Sequence, residues 1–209
     1  MSNKIKRIEI LSEVEIKETI SRLTFEIIEK VKNLDNLLLV GIPTRGIDLA
    51  ELLEKELLTK TGVKIRKGII DPTFYRDDQN RVGTRIIEAT DIPTPIEKQE
   101  ILLVDDVIYT GRTIRAAIDA LYSWGRPQKV MLLVMVDRGH RELPIQPDFC
   151  GKKVPTSKRL SSFFTFSIIS EVKREIVFLS STSVSITIFF VSLDIIYQLI
   201  KVVSYFFIN

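Results

Sequence analysis

The chain has 209 residues, with 30 basic against 27 acidic side chains and a net charge of +3, a balance too even to argue for nucleic acid by itself. One cysteine, Cys150, excludes an intrachain disulfide framework and a cysteine metal cluster, and one histidine, His140, excludes a multi-histidine site. The mean hydropathy of +0.14 conceals a break: all nine Gly and all eight Pro lie at or before Pro155, and beyond Lys158 there is no Gly, Pro or Ala.

In chain order, residues 1–18 hold basic side chains but no apolar core ahead of the acidic ones, so no secretory signal is read there. From Ser12, the residues Ile16, Ile20, Leu23, Ile27 and Val31 recur at steps of three and four, one helix face, with Ser12 and Glu15 at capping-box spacing. Residues 37–42 (LLLVGI) read as a strand buried on both faces, followed by Pro43-Thr44-Arg45-Gly46. A second helical stripe through Leu49, Leu52, Leu53 and Leu57 stops near Gly62, and residues 63–70 read as a strand. Residues 71–95 are polar and rich in turn formers, a length that marks a functional flap or β-arm. A buried run at 101–104 ends in Asp105-Asp106. After Thr110-Gly111-Arg112-Thr113 a helix carries Ile114, Ala117, Ile118 and Leu121, and residues 130–136 (VMLLVMV) form another buried strand, with Met131 and Met135 in the core. Strand, turn, helix, strand predicts a doubly wound, mainly parallel α/β sheet, whose ligands sit beyond the carboxyl ends of the strands.

The string 101–117 (ILLVDDVIYTGRTIRAA) carries the chemistry. A helix N-terminus offers free N–H groups and a favourable dipole to a phosphate, Thr hydroxyls add donors, and Gly111 removes a Cβ from the approach. Asp105 and Asp106, a few residues ahead, suit sugar hydroxyls or a bound Mg²⁺. A capped helix with two acids explains Asp-Asp alone, but not the whole string. Phosphate, ribose and metal together point to a sugar-phosphate substrate.

These residues resemble the phosphoribosyl pyrophosphate (PRPP) signature of type I phosphoribosyltransferases. The wording Asp105 to Thr113, with Tyr109 and Arg112, resembles the branch of pyrimidine-operon attenuation regulators that are also uracil phosphoribosyltransferases. Four further stretches agree: 40–46, the hood segment Phe74-Tyr75-Arg76-Asp77-Asp78, residues 136–144, and 154–158. The resemblance spans roughly residues 8–158 and implies a type I phosphoribosyltransferase fold with a flexible hood. It implies transfer of phosphoribose from PRPP to uracil, giving UMP and pyrophosphate. In that mapping Thr110, Gly111, Arg112 and Thr113 hold the 5′-phosphate, with Val104, Val107 and Tyr109 in the same signature. Asp105 and Asp106 hold the ribose and steady positive charge at the anomeric carbon, and face Mg²⁺ indirectly, through Mg-PRPP. Thr44, Arg45 and Gly46 form the pyrophosphate loop, with Arg45 offsetting leaving-group charge. Tyr75, Arg76 and Asp77 belong to the hood, and Asp137, Arg138, Gly139 and His140 contact the base. A lone His among arginines is ordinarily a solvated or capping residue, and Trp124 reads as a packing anchor.

The branch also binds a messenger RNA hairpin in the pyrimidine-operon leader, with UMP enhancing affinity. Ser21, Arg22, Lys30, Arg141 and Lys152 keep matching character, whereas Phe25 and Gln146 replace a His and an Arg. The resemblance implies a cytoplasmic homo-oligomer. The alternatives carried are an RNA-binding regulator whose site serves as a nucleotide sensor, and a transferase for another base. Residues 159–209 depart from the family. They hold ten Ser, eight of the eleven Phe and only seven charged side chains, and residues 176–193 are free of charge, a stretch long enough to span a bilayer. An out-of-frame terminus is the expectation, a membrane segment its rival. Translation of the gene in all three frames past codon 158 decides: a family-like ending in another frame is expected, and its absence in both overturns that reading. Domain organisation is thus read as a phosphoribosyltransferase domain over 1–158 and an atypical tail.

Overall fold

The computed structural model describes residues 10–77 and 89–154, together with the backbone of 162–164 and 178–180. Helix α1 (Glu13–Lys30) begins at a complete capping box: the Ser12 hydroxyl accepts from the Glu15 amide at 3.3 Å, and the Glu15 carboxylate accepts from the Ser12 amide at 2.7 Å. The Ser12 hydrogen bonds hold the Glu15 carboxyl below its ordinary value. Strand β1 (Leu37–Gly41) is buried at every position. Helix α2 (Arg45–Thr61) stops at Gly62, whose left-handed backbone turns its N–H onto the Leu58 carbonyl at 2.8 Å. Strand β2 (Arg66–Ile69), strand β3 (Glu100–Ile108), helix α3 (Arg112–Tyr122), strand β4 (Lys129–Asp137) and strand β5 (Phe149–Lys153) follow.

The five strands form one parallel sheet in the order β2-β1-β3-β4-β5. Alternate residues of the strands divide the core into two layers. Leu37, Leu39, Leu102, Val104, Met131, Leu133 and Met135 pack with α1 and α2. Leu38, Val40, Ile101, Leu103, Leu132 and Val134 pack with α3 on the other face. Both faces are covered, which is why the strands read as unbroken apolar runs. The doubly wound expectation holds. Chain order reverses between β1 and β3, the position at which such sheets open a crevice. Leu133 is wholly buried in the middle of β4. Leu133→Ala should therefore cost about 2–5 kcal/mol in denaturant unfolding, through lost burial and a cavity.

Two elements differ from the sequence reading. Strand β3 does not end at the paired acids but runs on to Ile108, with Asp105 opposite Val134 and Ile108 opposite Asp137 of β4. Its other neighbour stops earlier: the last β1 pairing is Gly41 with Val104, after which the Ile42 amide donates to the Val104 carbonyl at 2.9 Å. The acids are thus strand residues with one open edge. Strand β5 was hidden in the sequence because Phe149–Lys153 is short and charged at its end. Trp124 is 49% exposed and no packing anchor, and Phe25, 59% exposed, lies under the Lys60 ammonium at 4.3 Å. Of the flap, residues 78–88 lie outside the described residues, as does the side-chain environment of the tail. The backbones of β6 (Ser162–Phe164) and β7 (Phe178–Ser180) pair antiparallel.

Candidate active site

The crevice is built where β1 leaves the edge of β3. A Cβ on Gly46 would fall within the van der Waals radius of the Val104 carbonyl oxygen and 3.3 Å from the Asp105 Cα. Only glycine lets the first turn of α2 sit this close to β3. Arg45 and the paired acids are consequently neighbours. The Asp106 amide donates to Asp105 Oδ1 at 2.9 Å, and Asp105 is only 7% exposed. Burial pushes the Asp106 carboxyl above the ordinary carboxylate value, while its hydrogen bond with Asp105, the Val107 amide and the nearby Arg45 guanidinium pull it down. The cost of burying charge exceeds the compensation in the ligand-free protein. The Pro43–Thr44 peptide, at the entrance to this turn, is cis.

Beyond β3 the chain turns through Tyr109-Thr110-Gly111 into α3. Gly111 supplies the left-handed residue at the helix entrance, with φ 91° and no side chain to cap the helix, and the Arg112 amide donates to Thr110 Oγ1 at 3.4 Å. This turn lines a cavity of about 560 Å³ that also includes Val107, Arg76, Asp77 and Glu142, a volume typical of small-molecule sites. The root of the flap is docked on α3. Arg76 donates to Thr113 Oγ1 at 2.7 Å, Arg115 donates to the Tyr75 carbonyl at 3.1 Å, and the Tyr75 hydroxyl donates to Ser123 Oγ at 3.0 Å. Arg112 is held between two carboxylates, Asp77 at 2.6 Å and Glu142 at 2.8 Å. Glu142 joins the site without having been singled out from sequence; its charge alternation with Arg141 was the only signal.

The third wall is the turn after β4. Gly139 and His140 both adopt positive φ, at 69° and 57°. The Gly139 amide donates to Asp137 Oδ1 at 2.8 Å, closing the turn. Arg138 is buried, with its guanidinium 4.4 Å from the centroid of the Tyr109 ring, and His140 meets the same ring edge-on at 5.8 Å. Desolvation draws the Arg138 value down, and Tyr109 opposes that. The loop that enters α3 and the turn after β4 therefore share one aromatic ring. Thr44, Arg45, Gly46, Tyr75, Val104, Asp105, Asp106 and Asp137 to His140 do not line this cavity.

The basic residues assigned by resemblance to RNA divide into two sets. Arg22, Lys30 and Lys152 gather along the seam of α1 and β5, where Arg22 donates to the Gly151 carbonyl, Lys30 pairs with Asp148 at 2.8 Å, and Lys152 donates to the Ile10 carbonyl at 2.8 Å. Arg141 turns inward, donating to the Tyr109 carbonyl at 2.8 Å and pairing with Asp137 at 2.8 Å. Among the described residues no group of three or more His, Cys, Asp or Glu forms a metal site. Two adjacent carboxylates with oxygen donors fit a Mg²⁺ held mainly through substrate phosphates. No helix among the described residues is long and apolar enough to cross a membrane.

Residues 8–163 match the family model of the phosphoribosyl transferase domain. A protein named bifunctional protein PyrR from Microcystis aeruginosa is 57% identical over 150 residues, covering 72% of this chain and 85% of that one. Another of that name from Limosilactobacillus fermentum is 49% identical over 152 residues, 71% of this chain and 85% of the relative. Among solved structures, the hypoxanthine phosphoribosyltransferase of Trypanosoma cruzi superposes with a TM-score of 0.64 at 20% identity, over 85% of this chain and 97% of that one. That of Staphylococcus aureus gives 0.57 at 20% identity, over 74% and 81%. At such identities the structures establish the fold.

Proposed function

The chain belongs to the phosphoribosyl transferase family, and on that premise we propose that it transfers phosphoribose from PRPP to uracil, releasing pyrophosphate, and that it regulates pyrimidine-operon transcription by binding leader RNA with UMP as the signal. The observation that carries the transferase reading is the junction at β3: two carboxylates on an open strand edge, followed directly by a glycine-entered helix N-terminus. The relatives named bifunctional protein PyrR support both activities.

The uracil ring nitrogen forms the new bond to the anomeric carbon as the bond to pyrophosphate breaks, and the proton of that nitrogen passes to solvent or to the released pyrophosphate. The N–H groups at the start of α3, with Thr110 and Thr113, bind the 5′-phosphate. Asp105 and Asp106 accept hydrogen bonds from the ribose hydroxyls. Their negative charge steadies the cationic anomeric carbon in the transition state. Arg45, at the start of α2, balances charge on the departing pyrophosphate. Asp137, Gly139 and His140 present the base, and Tyr75, Arg76 and Asp77 shield the reaction from water when the flap covers it. Mg²⁺ bound with PRPP would supply further charge neutralisation at the pyrophosphate, with Asp105 and Asp106 on its ribose side. A cytoplasmic location belongs to the same reading, in keeping with the single cysteine, as does a homo-oligomeric state. So does a domain boundary near residue 158, with the family match ending close by, at residue 163.

The direct test mixes the protein with PRPP, Mg²⁺ and each nucleobase and follows pyrophosphate release. Turnover with uracil is expected, and turnover with hypoxanthine or orotate but not uracil overturns the assignment. For the RNA arm, binding of a leader hairpin should weaken steeply with salt and strengthen with UMP.

A further inference from the structure

The cavity at the start of α3 is lined by four charged side chains, Arg76, Asp77, Arg112 and Glu142, whose charges cancel. Two of the groups that face it are engaged by the flap root. Arg76 donates to Thr113 Oγ1 at 2.7 Å, and Arg112 lies 2.6 Å from the Asp77 carboxylate. Arg112 has a second carboxylate, Glu142, at 2.8 Å. The two acids are held differently. Glu142 belongs to a segment tied to the loop by backbone bonds, from the Glu142 and Leu143 amides to the Thr110 carbonyl at 2.9 and 3.2 Å. Asp77 follows a short 3-10 turn, Thr73–Tyr75, that meets α3 through side chains: Arg115 donates to the Tyr75 carbonyl, and the Tyr75 hydroxyl to Ser123 Oγ. The Asp77 side chain is also 45% exposed. Of the two carboxylates, Asp77 is the one that can swing away without disturbing the turn after β4.

A phosphate monoester dianion brings up to two charges and three acceptor oxygens to a guanidinium, and its pairing with arginine is charge-assisted and bidentate. A tethered carboxylate holds the same guanidinium against a free monoanion, because tethering gives it a high effective concentration and the monoanion offers no stronger contact. Against the dianion the tether is not enough. Once Asp77 has swung out, the charged groups left in the lining, Arg76, Arg112 and Glu142, carry one net positive charge. We propose that Asp77 is a specificity-determining residue of the transferase site: its carboxylate occupies Arg112 until the 5′-phosphate of the ligand takes its place. The site then admits a phosphate monoester and passes over singly charged anions. The proposal rests on the transferase reading for the nature of the ligand, and on the Asp77–Arg112–Glu142 geometry for the exchange.

The full chain, its Asp77→Asn and Arg112→Gln variants and the double variant are titrated with UMP and with inorganic phosphate by calorimetry. Formate serves as the competing monoanion, and circular dichroism gives the folded fraction. Asp77→Asn is expected to bind UMP about two- to fivefold more tightly, the scale of removing one partly exposed ion pair. It should also become sensitive to formate, which leaves UMP binding by the unsubstituted chain unchanged. In the Arg112→Gln background the Asp77 substitution should make no difference. Asp119, which pairs with Arg115 at 3.4 Å on the same helix, is the control: Asp119→Asn removes an equal charge and should leave UMP affinity unchanged. An equal gain in Asp119→Asn, or a gain from Asp77→Asn that persists without Arg112, would reveal a general field rather than an exchange and overturns the proposal. So do weaker UMP binding by Asp77→Asn, and formate competition that is the same with and without Asp77. Should Arg112→Gln not fold, the formate comparison decides alone. Uracil turnover is followed on the same preparations. Its absence overturns the transferase reading and leaves this test intact, since binding of UMP and phosphate requires no chemistry.

Discussion

Replacing Asp106 by Asn is expected to slow turnover by roughly 100- to 1000-fold while making the folded protein more stable. The loss is the scale on which one preorganised electrostatic group contributes to a charged transition state. The gain has a separate origin. Burial raises the Asp106 carboxyl above its ordinary value. The folded protein therefore holds that proton more tightly than the unfolded chain, and this group costs stability as pH rises past the ordinary carboxylate range. At neutral pH the cost is present. An Asn amide keeps the shape, removes the buried charge and can donate to Asp105, so a gain of about 1 kcal/mol is expected, or a Tm higher by ~2–4 °C for a domain of this size. Thermal unfolding and steady-state kinetics on one preparation check both halves. Lower activity together with lower stability would show that Asp106 is a structural acid instead.

Gly46→Ala should be the most damaging single-methyl change in the site. The added Cβ would overlap the Val104 carbonyl oxygen and lie 3.1 Å from its carbon, and both belong to the central strand rather than to a flexible side chain. The first turn of α2 must then move away from β3, carrying Arg45 with it. A stability loss of roughly 1–3 kcal/mol is expected from overpacking. Displacing Arg45 from the acids should lower kcat/KM about 100-fold. Gly62→Ala at the far end of the same helix is the control. There a Cβ meets nothing within 4 Å, and only the φ of 73° resists it. It should cost about 1 kcal/mol and leave kcat/KM unchanged. Equal activity losses in the two variants would show that helix stability, rather than the approach of α2 to β3, governs the site.

Much of the fold is legible along the chain because it depends on local periodicity. The runs 37–42, 101–104 and 130–136 had to be strands covered on both faces, since no residue in them tolerates water on either side. The stripe from Ile16 to Val31 had to be a helix, and the capping box fixed its start. The turn into α3 was legible for a similar reason: Gly111 and the threonines around it act through backbone geometry within a few residues. Strand β5 and the length of β3 were not legible, because acids at 105 and 106 and lysines at 152 and 153 read as turn or surface when their neighbours in the sheet are unknown.

Sequence by itself therefore determined the parallel α/β class, the glycine turn into α3 and the paired acids, each of which is specified by residues close together in the chain. Tertiary structure alone decided what these residues do to each other. It placed Asp105 and Asp106 on a strand edge exposed by the early end of β1, and set Arg45 beside them through the close approach at Gly46. It also turned Arg141 toward the Tyr109, Gly139 and Ile145 carbonyls and Asp137, and tied Arg112 to Asp77 and Glu142. The physical reason is the same in each case: a charge or a missing methyl acts through what lies within a few ångströms, and most of those neighbours lie 30 or more positions away in the chain.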